Sequence, residues 1–581
     1  MLVLILACSD MQTGSIDSSY SDYEPDFETR YISAPGGDAE EYNIYLIKVN
    51  TGTSAVSARD TGTAIAGVLP VNKPPVTTTE NDEENDEDDE ETETGEEEPS
   101  ANTASRYFDA GVKTTDSDID ICCEPDYVQE FNKLLYSSFK EPAPQTLRLR
   151  NSMNMLLSTA ADSYVVDSSS KYFWIIINNV WKKIPATLRA QGDKCNVWVA
   201  DVNFSNSTLA DETGATINKS IAKNLKENFD TIYDIETAIL GYERGGGPGG
   251  DGGIDKDTRV QILVYDIDGD AFTPKDGGKT VGYFWSKDEM TQEKIDEKKM
   301  DLKSNHAEIF YIDSHYASLA PNMTYSTLVH EFQHMINYNQ KNIERNMTSA
   351  GWYNEMLSML AEDMISPIIN ISSGDVGHPV RQRIPLFLQA YSTTGVAKWE
   401  TTDSLKSYAV TYAFGAYMAR NFGGPELVRL MLSNSFVDDE SISAALAECS
   451  LNMHNVRSFK SALESWPNAM LYTKPSSEQD GIVSYNNTIT ETLRGVIYRF
   501  DAFDISKIAA SGQTGEEKQY GINISPLIAK KIMEPGSVQI QTCDYWKNIT
   551  NKKVAIKIEK PSNSNVKLIF YAIPKKTESS T

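Results

Sequence analysis

Two apolar stripes at helical spacing, one shortly after the other, mark the middle of the chain. Leu328, Val329, Phe332, Met335 and Ile336 fall on one helix face. The stretch from Tyr325 to Lys341 holds no Gly or Pro, and Thr324 or Ser326 can cap its start. Met356, Leu357, Met359, Leu360, Met364 and Ile365 repeat the helical pattern downstream. Before these helices, β-prone runs predict strands at 172–179, 195–203, 260–266 and 310–313, with helices over 127–139 and 215–240. After them, 407–421 reads as an amphipathic helix carrying Tyr408, Tyr412 and Tyr417, and Gly423-Gly424-Pro425 breaks it. Beyond about residue 471 the pattern becomes short β-prone runs at 481–485, 495–500, 538–541, 554–558 and 566–571. They predict an antiparallel β-sandwich, which a short β unit at 42–69 is free to join.

The first central helix carries His330-Glu331-Phe332-Gln333-His334. Residues i and i+4 share a helix face, so both imidazoles can turn to one metal ion, away from the apolar stripe. Glu331 sits about 100° round the helix, where a carboxylate reaches a metal-bound water without ligating the metal. Two core histidines four apart would give the same letters, so the neighbouring sequence has to decide. It supplies Trp352-Tyr353-Asn354-Glu355 at the head of the second helix. A catalytic zinc takes three protein ligands and keeps one position open, and Glu355 is the candidate third. Glu362, seven residues on, returns to nearly the same helix face and can hydrogen-bond a ligating histidine from behind.

An Asn-Glu pair on a second helix at this distance after H-E-x-x-H makes the chain resemble the gluzincins. The run HEFQHMIN followed by NE and AED is similar, more narrowly, to the hyicolysin family of secreted bacterial metallopeptidases. The resemblance implies an α+β zincin catalytic domain, assigned to 101–470, with a mixed sheet packed on the active helix and its last strand, at 310–313, edging the cleft. It implies one catalytic Zn2+ held by His330, His334 and Glu355, with Glu331 as general base. Tyr408 and Tyr412 become candidates for donating a hydrogen bond to the oxyanion. Thermolysin-like relatives place an Asp four residues after the third ligand, where this chain has Met359, and Glu362 is the substitute. The expected activity is endopeptidase, since the Gly-Ala-Met-Glu-Asn signature of aminopeptidase relatives is missing. The rival from another class is a surface adhesin or scaffold lipoprotein with a catalytically silent zincin fold.

Charge and the termini refine this picture. The 581 residues carry a formal net charge of −30, which argues against a nucleic-acid partner. Residues 80–98 hold 14 acidic residues and no basic or apolar one, and removing them takes the charge to −16. The segment 80–100 therefore reads as a solvated linker between a tether with a small β unit (9–79) and the catalytic domain. Residues 1–8 resemble a bacterial lipoprotein signal ending at Cys8, through which alone a membrane would be met, although the basic n-region is missing. Protein or peptide substrates at the cell surface or outside the cell follow from this reading.

Other motifs add less. Cys122, Cys123, Cys195, Cys449 and Cys543 show no zinc spacing and assign no disulfides. Gly245–Gly253 reads as a flexible loop, with no Lys-Ser or Lys-Thr for a phosphate cradle. Asp266-Ile267-Asp268-Gly269-Asp270 starts like a calcium loop, but Gly277 stands where the bidentate Glu is required. A solvated turn is the better reading, and Ca2+ rests on this stretch alone. His306, His315, His378 and His454 lie outside any motif and read as structural or surface residues.

Overall fold

The computed structural model describes residues 27–33, 42–57, 65–70, 164–177, 180–205, 217–267, 269, 280–399, 404–452, 454–478, 482–511, 518–524, 532–542 and 553–574. The expected signal at 1–8 with Cys8, the linker at 80–100, the helix at 127–139, and Cys122, Cys123, Cys543, Asp268, Asp270 and Gly277 lie outside them.

The strands, in chain order, are β1 (Phe27–Ser33), β2 (Tyr42–Asn50), β3 (Ile65–Pro70), β4 (Ser170–Ile177), β5 (Val180–Gln191), β6 (Cys195–Ala200), β7 (Val260–Tyr265), β8 (Gly282–Phe284), β9 (Ile309–Asp313), β10 (Ile489–Leu493), β11 (Val496–Phe500), β12 (Val538–Thr542), β13 (Lys553–Glu559) and β14 (Val566–Pro574). The helices are α1 (Lys219–Leu240), α2 (Gln292–Glu297), α3 (Ser314–Leu319), α4 (Pro321–Asn337), α5 (Gly351–Ile365), α6 (Pro379–Ala390), α7 (Ser404–Phe422), α8 (Gly424–Ser433), α9 (Asp438–Glu448) and α10 (Phe459–Leu471).

A six-stranded mixed sheet carries the central part, in the order β4-β5-β6-β7-β9-β8. Strands β6, β7 and β9 run parallel, and β8 pairs antiparallel on the outside of β9. Past Asn196 of β6 and Gln261 of β7 their runs are apolar because both faces are covered. Val197, Val199, Ile262, Val264, Phe310 and Ile312 face the main helical core. Their neighbours Trp198, Leu263, Tyr265, Ile309 and Tyr311 fill the opposite, aromatic-rich core, as the two-residue side-chain period requires. On the helical side Phe332 of α4 stands edge-on to Phe229 and stacks on Tyr233, both of α1, at ring separations of 5.1 and 5.2 Å. The apolar stripe of α4 is thus buried against α1 and the sheet, and its other face turns to α5.

Two expectations are corrected here. Helix α4 starts at Pro321, whose fixed φ suits the first turn; Thr324 and Ser326 lie inside it rather than capping it. The helix ends in a π-helical turn, Tyr338–Ile343. Strand β9 is not the edge: β8, only three residues long and without a sequence signal of its own, takes that place.

The glycine run is hydrogen-bonded rather than loose. Gly252 N donates to Gly245 O and Gly250 N to Gly247 O, each at 3.0 Å. Its glycines leave no room for side chains against Glu243 and Glu308, whose carboxylates lie where Cβ atoms of Gly246 and Gly253 would be. Gly245, Gly247, Gly249, Gly252 and Gly253 all have positive φ, which glycine alone adopts without strain.

The described strands of the chain's two ends pair with each other. β2 lies between β12 and β14, and β13 between β1 and β3, all antiparallel. Strands β10 and β11 form a hairpin whose two turn residues, Arg494 and Gly495, both have positive φ, the conformation that matches the twist of two-residue hairpins. No helix among the described residues is long and apolar enough to cross a membrane.

The acids under the glycine run give a pH-dependent stability. Burial pushes the Glu243 carboxyl up to about 7 and the Glu308 carboxyl up to about 8, the latter against the hydrogen bond from Ile254 N. Between the unfolded value of about 4.5 and these folded values the native state holds protons that the unfolded chain has released. Their contribution is therefore full below about pH 4.5 and is lost as pH rises through about 8. Thermal unfolding of Glu308→Gln, which stays neutral, should show a flatter loss of Tm between pH 5 and 8 than the wild type. An unchanged slope would mean that Glu308 does not take up a proton on folding.

Candidate active site

Helices α4 and α5 lie side by side, and the polar residues of their facing sides meet in a buried seam. His330 places Nδ1 2.6 Å from Glu362 Oε1 and Nε2 3.1 Å from Glu355 Oε2. His334 Nε2 lies 3.5 Å from the same Glu355 oxygen, and the two imidazole rings are 4.7 Å apart, nearly perpendicular. One ligand atom each from His330, His334 and Glu355 falls within 4.8 Å of the others, with all three residues buried. Two ring nitrogens and a carboxylate oxygen at this spacing are a donor set that fits a metal ion.

The residues behind this trio fix which atoms point inward. Ser358 Oγ donates to Gln333 Oε1, so the 3.0 Å contact between Ser358 Oγ and His334 Nδ1 is one in which the ring N–H donates. That turns His334 Nε2 towards Glu355 Oε2, 3.5 Å away. Glu362 takes the Nδ1 side of His330, and its other oxygen accepts from Ser326 Oγ at 2.8 Å. Burial works against a charged His330, but the hydrogen bonds to Glu355 and Glu362 outweigh it and hold its pKa well above the usual value. Burial likewise raises Glu355, yet the charges of His334 and His330 and their hydrogen bonds carry it well below the carboxylate range. Both shifts favour positive charge between these groups.

Glu331 is fully buried on the same helix, one residue after His330. On α1, Glu236 is also fully buried, with neither carboxylate oxygen hydrogen-bonded; burial raises its pKa well above 4.5 against the pull of His330.

A second polar group lies behind α5. Asp363 accepts from Arg420 Nη1 and Nη2 at 2.8 and 3.0 Å and from the Tyr412 hydroxyl at 2.8 Å, and His378 Nε2 stands 3.8 Å from it. The Tyr412 proton is thereby committed to Asp363. Tyr408 packs edge-on to Trp399 at 4.8 Å with the Arg383 guanidinium over its ring at 4.9 Å. Of the histidines outside the motif, His378 and His315 are buried, and His306 Nε2 accepts from Gln292 N at 2.9 Å.

Sequence reasoning named His330, Glu331, His334, Glu355 and Glu362 but missed Ser326, Ser358, Glu236 and the Asp363–Arg420 pair. For the serines a signal was present, since each interrupts an apolar helix at three or four residues from a histidine or glutamate of the motif. For Arg420, more than fifty residues from Asp363, there was none.

Comparison with known proteins names the chemistry. Residues 183–482 match the peptidase M30 family. A neutral metalloprotease of Staphylococcus hyicus, ShpI, is 30% identical over 338 residues, covering 56% of this chain and 67% of the relative. Fold, donor set and these likenesses define the chain as a metal-dependent peptidase, a hydrolase acting on proteins or peptides. It belongs to the peptidase M30, or hyicolysin, family.

The Asp363–Arg420 pair yields a stability prediction. Both side chains are buried, and removing one partner leaves an uncompensated charge in the core, a loss of about 3–5 kcal/mol. Asp363→Ala should lower the urea midpoint accordingly, whereas a loss below about 1 kcal/mol would mean that Arg420 finds another partner.

Proposed function

We propose that the chain is a zinc-dependent endopeptidase working at the cell surface or outside the cell. His330 Nε2, His334 Nε2 and a Glu355 carboxylate oxygen would hold the ion. The observation that carries this reading is the convergence of these three buried donors within 4.8 Å, with Glu331 adjacent in the same helix. When bound, Zn2+ supplies Lewis acidity towards the scissile carbonyl and draws the pKa of its water towards neutrality.

The protein's own residues then do the rest. Glu331 takes a proton from the attacking water and delivers it to the amide nitrogen that leaves. Glu362, steadied by Ser326, holds the Nδ1 proton of His330, and Ser358 holds that of His334, so each ring keeps its Nε2 for the metal. Of the two tyrosines considered for the oxyanion, Tyr408 is retained, because the Tyr412 proton lies on Asp363.

Glu331→Gln isolates the chemistry from the fold. The variant keeps size and helix preference but loses the proton acceptor, so casein hydrolysis should fall by at least about two orders of magnitude. Zinc content and Tm should stay at wild-type values. Unchanged hydrolysis would remove Glu331 as the base. A wild type that holds zinc without hydrolysing any peptide would instead favour the adhesin or scaffold. In His334→Ala and Glu355→Ala, zinc and activity should be lost together, as read by elemental analysis beside the casein assay.

A further inference from the structure

The C-terminal ends of two neighbouring parallel strands carry a second set of ligand-type side chains. Asp266 follows β7, Asp313 closes β9, and His315 lies in the first turn of α3. One ligand atom from each falls within 4.8 Å of the others. The strands impose this meeting, because Tyr265 of β7 pairs with Asp313 of β9, so both carboxylates leave the sheet together at its C-terminal margin. In open α/β sheets that margin is where ligands are bound.

The arrangement is fixed by backbone hydrogen bonds. Ile267 N donates to Asp313 Oδ2 at 2.9 Å, tying the turn after β7 to the end of β9. His315 N and Tyr316 N donate to Asp313 Oδ1 at 2.8 and 3.2 Å. His315 Nδ1 stands 3.8 Å from that oxygen. Asp313 is 6% exposed and His315 2%, while Asp266 is half-buried and leaves one side open to solvent. Two carboxylates held this close repel each other in a poorly solvated place, and a divalent cation between them turns the repulsion into attraction.

We propose that Asp266, Asp313 and His315 form a second divalent-cation site, taking an ion of the Zn2+ or Mn2+ type. The imidazole decides the class: Ca2+ and Mg2+ take all-oxygen shells, whereas a mixed nitrogen and oxygen set suits a first-row transition ion. Of the aspartates in the Asp-rich stretch, Asp266 alone lies among the described residues, and it supplies one carboxylate. Three protein donors leave room for water on the open side of Asp266. The ion would clamp the turn after β7 to the root of α3, the short helix that leads directly into α4. Its part is structural, and it does not rest on the peptidase mechanism.

Metal stoichiometry of the full chain tests this. After chelation and reloading with Zn2+, elemental analysis following gel filtration should give two ions per wild-type chain. Asp266→Asn, chosen because its side chain is the most exposed of the three, should hold one ion. The double variant His330→Ala/His334→Ala should also hold one, and its Tm should rise with added Zn2+ or Mn2+. Adding Asp266→Asn to that double variant should abolish both the ion and the rise. The proposal is overturned if Asp266→Asn holds as many ions as wild type, if the His330→Ala/His334→Ala variant holds none, or if Ca2+ alone raises the Tm of that double variant. Because the double variant lacks the His330 and His334 donors, failure of the zinc peptidase reading would be seen separately.

Discussion

The structure turns on the contact between His330 and the two glutamates of α5. An imidazole whose two nitrogens face two buried carboxylates is stable only if all three groups are held at hydrogen-bond distance. Breaking the register of α4 against α5 by one residue would leave buried charges unmatched, a penalty of several kcal/mol that no apolar contact on these helices can offset. The polar seam therefore sets where the two helices lie. The apolar stripe of α4, seated on Phe229 and Tyr233, sets how deep they lie.

Helix α5 is fixed from its other side as well. Gly415 of α7 brings that helix so close that a Cβ there would stand 2.8 Å from Met356 Cγ. Asp363, the residue after Glu362, points about 100° away and is gripped by Arg420 of α7. Adjacent residues of one helix thus bolt it to two different neighbours. Asn337, at the end of α4, closes the third corner by donating to Asn354 Oδ1 at 2.8 Å, next to Glu355.

Much of this was legible in the sequence because local pattern and chemistry coincided. The largely apolar runs of β6, β7 and β9, the stripe of α4 and the spacing of His330, His334, Glu355 and Glu362 are all short-range signals. What was not legible was long-range or too short to have a period. Strand β8 has three residues and gains its place by lying on β9 and α4, where Gly282 leaves no room for a Cβ against Thr327. Strand β5 carries Pro185 and the Lys182-Lys183 pair, which hide its alternation. The pairing of β2 with β12 and β14 joins residues about five hundred positions apart, beyond the reach of any periodicity. The glycine run misled for another reason: composition suggests freedom, but the two carboxylates beneath it and its own turns confine it.

These constraints explain why the polar residues divide into separate groups rather than one network. Glu355 and Glu362 answer to α4, whereas Asp363 answers to α7, and no hydrogen bond among those described joins the two sets. A proton or cation gained by the first set changes the charge at His330 without loosening the Asp363–Arg420 pair that holds α5 in place. Geometry at the candidate metal centre is then kept by a bond that the chemistry does not touch, which is the condition for a preorganised site. On the proposed reading Glu362 acts through His330 at the metal centre whereas Asp363 acts through Arg420 alone, so a loss at 363 should fall on stability only, while a loss at 362 should fall on the metal centre as well.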